Sequence, residues 1–344
     1  MNHTAFFDML KAGSIGECYL FEGSEEYIKQ QALKQLCARL LPAGLEEMNL
    51  TELSDPDPDT LIAAAETLPF LGEKRLVVVR DCPLIASGRK GEDEDSAKAI
   101  AGYLERISPS TCIVFYAKGK ADGRKKLYTL LKKKNAIVDF SPMNDAECAD
   151  WARKTMRRLG KQLDGENAAR LVFTVGHDAA LLRQEMEKLS SYLDDRETVT
   201  AQDIDAICTR STECTVFQMV DAQVAGDNDR AFALLRDMVR AGEQRMMILA
   251  MLLRQYRILY HMRCLIDERT PPGSQAQLLG IPPFAVSRTQ QQARRFDRQK
   301  LREAYDYLMD LDFRIKQGVQ SQDSCAENAL LALESILRGS QERP

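Results

Sequence analysis

Histidine, tryptophan and closely spaced cysteine are scarce in this chain of 344 residues, and each shortage removes a class of chemistry. The three histidines, His3, His177 and His261, and the nine cysteines, Cys18, Cys37, Cys82, Cys112, Cys148, Cys208, Cys214, Cys264 and Cys325, never fall into C-x-x-C or zinc-ligand spacing. No metal and no cofactor is therefore expected. An odd, scattered set of thiols is no disulfide framework, so reduced and buried cysteines in a cytoplasmic setting are the expectation. No apolar run approaches the ~18 residues a membrane helix needs; the longest, such as 76–79, are strand-sized. Met1-Asn2-His3-Thr4 lacks the basic start and apolar run of a secretory signal, which points to an unexported protein with no membrane partner. No G-x-S-x-G elbow occurs and nothing pairs His177 or His261 with a nucleophile, so no catalytic residue is assigned. Excess positive charge is missing too: 47 Lys and Arg against 51 Asp and Glu leave a net charge of −4, which excludes a globally basic nucleic-acid coat but not a local basic patch.

What is present is a well-mixed globular composition, 44% hydrophobic and 28% charged, in a chain long enough for two or three domains. Residues 1–142 alternate between strand-like runs (18–23, 48–53, 75–82, 111–118 and 136–140) and helical patterns (25–41, 59–67, 94–107 and 123–134). Val77-Val78-Val79 and Cys112-Ile113-Val114-Phe115 are apolar without alternation, as in central strands covered on both faces. Five strands with crossover helices predict a parallel-sheet α/β domain. Beyond Pro142 the strand signals stop. Four short helical patterns over 145–208 predict a small helical domain, 143–211, with Asp178 and Thr200 as N-caps and Asp203 completing a capping box. Helical patterns alone fill 212–344, broken at Thr270-Pro271-Pro272-Gly273; the only low-complexity stretch is a short linker, 88–95.

An α/β domain followed by a small helical one is the layout of a nucleotide-driven motor, whose first strand–helix turn needs G-x-x-x-x-G-K-S/T. The chain reads Gly23-Ser24-Glu25-Glu26 there, with one glycine, no lysine and two carboxylates. A carboxylate about 5 Å from a phosphate costs on the order of 3 kcal/mol at an effective dielectric of about 20. Glu25 and Glu26 are better placed to meet the helix dipole themselves. The third strand ends in a single acid, Asp81, which suits a turn better than a metal. After the fourth strand, Lys118-Gly119-Lys120-Ala121-Asp122-Gly123-Arg124-Lys125-Lys126 has glycines ahead of a helix but neither the spacing nor the Mg²⁺ hydroxyl of a phosphate loop. From Lys118 to Lys134 eight basic residues face Asp122 alone. A solvated face and a surface for DNA phosphate or a partner, carried by Lys120, Arg124, Lys125 and Lys126, both fit that pattern.

Several of these segments, in this order, carry a resemblance: Tyr19-Leu20-Phe21-Glu22-Gly23-Ser24-Glu25-Glu26-Tyr27-Ile28, then Leu68-Pro69-Phe70-Leu71-Gly72-Glu73-Lys74-Arg75-Leu76-Val77-Val78-Val79, Lys125-Lys126-Leu127-Tyr128, Trp151 and Glu185-Met186-Glu187-Lys188-Leu189. Over essentially its whole length the chain resembles the delta-subunit family of the bacterial DNA polymerase III clamp loader. The resemblance implies an AAA+ RecA-like domain with a degenerate phosphate loop, a helical lid and a C-terminal helical collar used for oligomerisation. It implies a non-catalytic subunit of a DNA-directed DNA polymerase assembly that grips the beta sliding clamp and holds one ring interface open. Its partners would be the tau/gamma ATPase subunits, delta-prime and, in the assembled complex, primed DNA. The Ser-Arg-Cys motif of the hydrolysing and companion subunits is absent, as the resemblance implies for this one.

The residues around Pro69 admit two readings on their own: Phe70 and Leu71 fold back as core, or they stand out as a plug for an apolar pocket. The resemblance selects the second, with Phe70 and Leu71 as anchors and Leu68 as an auxiliary contact; the motif departs from the commoner Ser-Leu-Phe form, which leaves open which anchor goes deeper. Arg183 and Lys188 lie where related ATPases sense phosphate, and without a nucleotide a structural or interfacial role is expected. A second basic run, Arg288, Arg294, Arg295, Arg298, Lys300 and Arg302, reads as a solvated helix face. Two rival functions stay in view: an AAA+ ATPase with an atypical nucleotide site, and a free-standing DNA-binding protein. ATP binding by the isolated chain distinguishes the first, and salt-steep binding to primed DNA the second.

Overall fold

The structure, a computed structural model, describes residues 1–87 and 94–338. The linker read over 88–95 therefore lies largely outside the described residues. The chain divides into two compact units, Met1–Met143 and Asn144–Pro344.

The first unit runs α1 (His3–Ala12), β1 (Cys18–Glu22), α2 (Glu26–Leu40), α3 (Glu46–Asn49), β2 (Leu50–Ser54), α4 (Pro58–Glu66), β3 (Arg75–Arg80), α5 (Glu94–Leu104), β4 (Thr111–Tyr116), α6 (Lys126–Lys133) and β5 (Ile137–Asp139). The strands form one sheet in the order β2-β3-β4-β1-β5, and every pairing is parallel. The unbroken apolar runs become the central strands because helices cover both faces: β1 and β4 are buried throughout, as is β3 up to its last residue. Two elements differ from the sequence reading. Helix α1, capped by Asn2 and ended by left-handed Gly13, packs Phe6 edge-on against Tyr19 and Phe21 at 5.2 and 5.1 Å. Met48 and Asn49, expected in a strand, close helix α3 instead, and the strand begins at Leu50.

The second unit is helical: α7 (Asp145–Arg158), α8 (Gly165–Val175), α9 (Ala179–Leu193), α10 (Ala201–Ile207), α11 (Thr212–Ala225), α12 (Asn228–Arg240), α13 (Arg245–Asp267), α14 (Pro272–Leu279), α15 (Pro283–Ala293), α16 (Arg298–Lys316) and α17 (Cys325–Arg338). Asp178 accepts from Leu181 N as N-cap, and Thr200 with Asp203 forms the capping box the sequence announces. The expected break is shorter than read, because Pro272 begins α14, where its missing N–H costs nothing. Helix α13 runs through the core of the later helices, and Tyr256 is fully buried there. Its hydroxyl donates to Gln223 Oε1 at 2.8 Å, and Gln223 Nε2 donates to Leu330 O at 2.9 Å. That chain of bonds ties α11, α13 and α17 together. None of the nine cysteines is in a disulfide, and seven of them are buried.

Candidate functional site: an exposed apolar loop and an occupied first turn at opposite ends of the sheet

The turn after β1 is closed by the protein itself. Gly23 adopts φ +116°, and a Cβ there would collide with the Phe140 carbonyl group, so only glycine fits. Lys29, in the first turns of α2, is fully buried. Its ammonium donates to Gly23 O at 2.9 Å and Ala117 O at 2.7 Å, pairs with Glu26 at 3.0 Å, and lies 4.8 Å from the Tyr116 ring centroid. The Tyr116 hydroxyl donates to Glu26, and the Arg80 guanidinium packs 4.6 Å from the same ring. Burial works to raise the Glu26 carboxyl, but the Tyr116 and Lys29 hydrogen bonds outweigh it and hold the group below its ordinary value. Burial, and then the Glu26 carboxylate, push the Tyr116 phenol up.

The wall beyond is also engaged. Glu22, buried at the end of β1, accepts from Ala121 N at 3.0 Å and pairs with Lys120 at 3.1 Å. Lys120 also meets Asp139 at 3.2 Å. Asp81, in the left-handed region at φ +54°, pairs with Lys118 at 2.9 Å; it serves the turn, as the sequence suggested. A cavity of about 750 Å³ opens at the ends of β2, β3 and β4, lined by two carboxylates, Asp55 and Asp81, and by two ammonium groups, Lys118 and Lys120.

The opposite end of the sheet presents apolar side chains to solvent. Between α4 and β3, Leu68 is 78% exposed, Phe70 50% and Leu71 77%. Their backbone, by contrast, is held. Asn49 Oδ1 accepts from Phe70 N at 2.7 Å, and Asn49 Nδ2 donates to Phe70 O at 2.9 Å and to Leu45 O at 3.1 Å. Arg75, buried at the start of β3, donates from Nη1 to Thr67 O and Leu68 O at 3.2 and 3.4 Å and from Nη2 to Thr51 Oγ1 at 2.8 Å. Leu71 is left-handed at φ +48°. A side chain at Gly72 would press on Pro42, with Cβ only 2.8 Å from Pro42 Cγ. Met48, beside Asn49 in sequence, is 58% exposed.

The basic residues are largely occupied within the chain. Lys125 is buried and donates to Pro83 O at 3.1 Å, so it drops out as a surface contact. Arg124 grips Asp122 through two hydrogen bonds at 2.9 and 2.8 Å, and Lys126 pairs with Glu94 at 3.5 Å. Arg124 and Lys126 stay exposed, and Lys120 is spent on Glu22 and Asp139. In the helical unit Arg183 pairs with Glu187 and Lys188 with Glu185, both at 2.6 Å. Arg288 pairs with Asp221, Arg295 donates to Val224 O at 3.3 Å, and Lys300 donates to Leu337 O at 3.0 Å. Sequence reasoning assigned no role to Asn49, Arg75 or Lys29. The signals were an asparagine inside an expected strand, an arginine directly before the apolar run 76–79, and a lysine at an inward-facing helix position.

Fold and site together define a five-stranded parallel α/β unit whose first strand–helix turn is occupied by its own Lys29, followed by a long helical region. Comparison with known proteins agrees. A family model described as DNA polymerase III, delta subunit, matches residues 19–141, and one for the C-terminal domain of that subunit matches residues 213–333. The DNA polymerase III subunit delta of Bacillus subtilis is 28% identical over 329 residues, covering 94% of each chain. The solved structure of a Bacillus subtilis DNA clamp loader delta protein matches with a TM-score of 0.58 and 26% identity, over 97% of this chain and 99% of the other. The chain belongs to the DNA polymerase III delta subunit family.

Proposed function

We propose that the chain is the non-hydrolysing clamp-opening subunit of a cytoplasmic clamp loader. It binds the beta sliding clamp through Leu68, Phe70 and Leu71 and holds one ring interface open for loading on primed DNA. The observation that carries this reading is the exposure of three large apolar side chains in one short loop, where water makes them costly and a pocket would accept them. If the loop fits the clamp better when the ring is open, binding shifts the ring toward that state by differential affinity alone. The non-hydrolysing part of the reading is supported by Lys29, Glu26 and Tyr116, which bond to one another and to Gly23 in the turn after β1. Helices α7–α10 serve as the lid (143–211) and α11–α17 as the collar (212–344) that joins tau/gamma and delta-prime. Within the loader, Lys120, Arg124 and Lys126, exposed although each is ion-paired within the chain, are basic residues of the α/β unit that DNA or a partner would meet.

Calorimetric binding of the purified chain to the beta clamp, without nucleotide, tests the reading. Binding that is lost on replacing Phe70 and Leu71 with alanine supports it. Unchanged affinity in a folded Phe70→Ala/Leu71→Ala variant rejects the site.

A further inference from the structure

The loop that displays Leu68, Phe70 and Leu71 is restrained at three separate points. Arg75 takes the carbonyls of Thr67 and Leu68 on its entry side. Asn49 takes both backbone polar groups of Phe70 at its centre. Pro42 stands against Gly72 on its exit side. Between the last two, Leu71 occupies a left-handed conformation that a leucine adopts only when its surroundings impose it. The side chains that do the holding are themselves buried, whereas those on display are not: Arg75 and Asn49 are 7% and 0% exposed. Asn49 is also tied to Leu45 O, so its amide is oriented before the loop is considered.

We infer that Asn49, supported by Arg75, is a positioning residue that presets the apolar plug for its partner. This inference rests on the proposed clamp contact. A free loop of this length must lose backbone freedom when it seats in a pocket, and that loss subtracts from affinity. Here the ordering is complete in the unbound chain, so the binding-competent shape is the resident one and little of the population is excluded from productive encounter. The same bonds restrict how the partner reads the loop. With the Phe70 N–H and the carbonyls of Thr67, Leu68 and Phe70 already engaged, recognition runs through the side chains rather than by addition of a strand to this segment.

The test uses the full chain and the beta sliding clamp, with association and dissociation rates measured for wild type, Asn49→Ala, Asn49→Asp, Phe70→Ala and Phe70→Ala/Leu71→Ala, well below each variant's melting temperature. Hydrogen exchange of the 67–73 peptide is followed alongside. Loss of the Asn49 bonds is expected to weaken binding about tenfold, chiefly through slower association, and to speed exchange at Phe70. Asn49→Asp, equal in size, is expected to do at least as badly, because a carboxylate then faces the carbonyls of Phe70 and Leu45. Phe70→Ala is expected to speed dissociation while leaving the backbone protected. Wild-type kinetics in Asn49→Ala alongside weakened binding in Phe70→Ala overturn the positioning role and leave the clamp contact standing. Wild-type kinetics in Phe70→Ala/Leu71→Ala overturn the contact and, with it, this inference. If Asn49→Ala does not fold, Arg75→Lys provides the same reading from the entry side, since the lysine keeps the charge but cannot span Thr51 and both carbonyls.

Discussion

The Lys29 ammonium lies 2.9 Å from the carbonyl oxygen of Gly23, so the helix that follows the first strand ties down the turn that precedes it. A buried lysine with two carbonyls and a carboxylate as partners is satisfied where it stands. Replacing it removes the cation and strands its neighbours. Lys29→Met is expected to cost about 2–3 kcal/mol, below the range for fully buried pairs because Glu26 is partly solvated. Urea unfolding followed by circular dichroism measures it.

Gly23 should tolerate no substitution. Its left-handed backbone strains any L side chain, and the Phe140 carbonyl occupies the space a Cβ needs. Gly23→Ala is expected to lose about 2–4 kcal/mol of stability in the same assay. The wild-type chain is expected to bind no ATP in equilibrium dialysis.

Acidification should weaken the α/β unit in a defined window. The Glu26 carboxyl is depressed below its ordinary value of 4.5 despite its burial, through Tyr116 and Lys29. A depressed folded value contributes stability that is fully present above the unfolded one and is lost as pH falls through the folded value. The urea midpoint should therefore hold from neutrality to about 4.5 and decline below it, and Glu26→Gln should flatten that decline.

Clamp binding should depend on Phe70 and Leu71 without involving stability. Both side chains face solvent in the free chain, so Phe70→Ala/Leu71→Ala should leave the melting temperature nearly unchanged. Affinity for the clamp should fall by about 2–4 kcal/mol if these are hot spots. Calorimetry and a thermal melt of one sample separate the two effects.

In the helical unit, Tyr256→Phe removes the donor to Gln223 inside a fully packed core. The stranded amide oxygen predicts a loss of about 1–2 kcal/mol, read as a lower urea midpoint.

Much of the α/β unit was legible because its signals are local. Val77-Val78-Val79 and Cys112-Ile113-Val114-Phe115 announce strands buried on both faces whatever lies elsewhere, and Asp178 and Thr200 cap helices through bonds within four residues. Helix α1 was missed although Asn2 and Gly13 bracket it, since its apolar face has meaning only against Phe21 and Tyr19. Lys125 was placed at the surface because a lysine beside Arg124 and Lys126 looks solvated; contact with Pro83, far away in sequence, buries it.

By itself the sequence determined the parallel α/β domain, the helical remainder, the missing phosphate-loop lysine and the apolar character of Leu68, Phe70 and Leu71, all properties of neighbouring residues. Only the tertiary structure decided that those three side chains face water and not the core. That outcome depends on Asn49 and Arg75, 21 and 7 residues from their loop partners Phe70 and Leu68. The burial of Lys29 in the turn after β1 was decided in the same way, since the Ala117 carbonyl that holds it comes from 88 residues along the chain. Hydrogen bonds of that span leave no periodic trace in the sequence, because their geometry exists only once the sheet has brought the strands together.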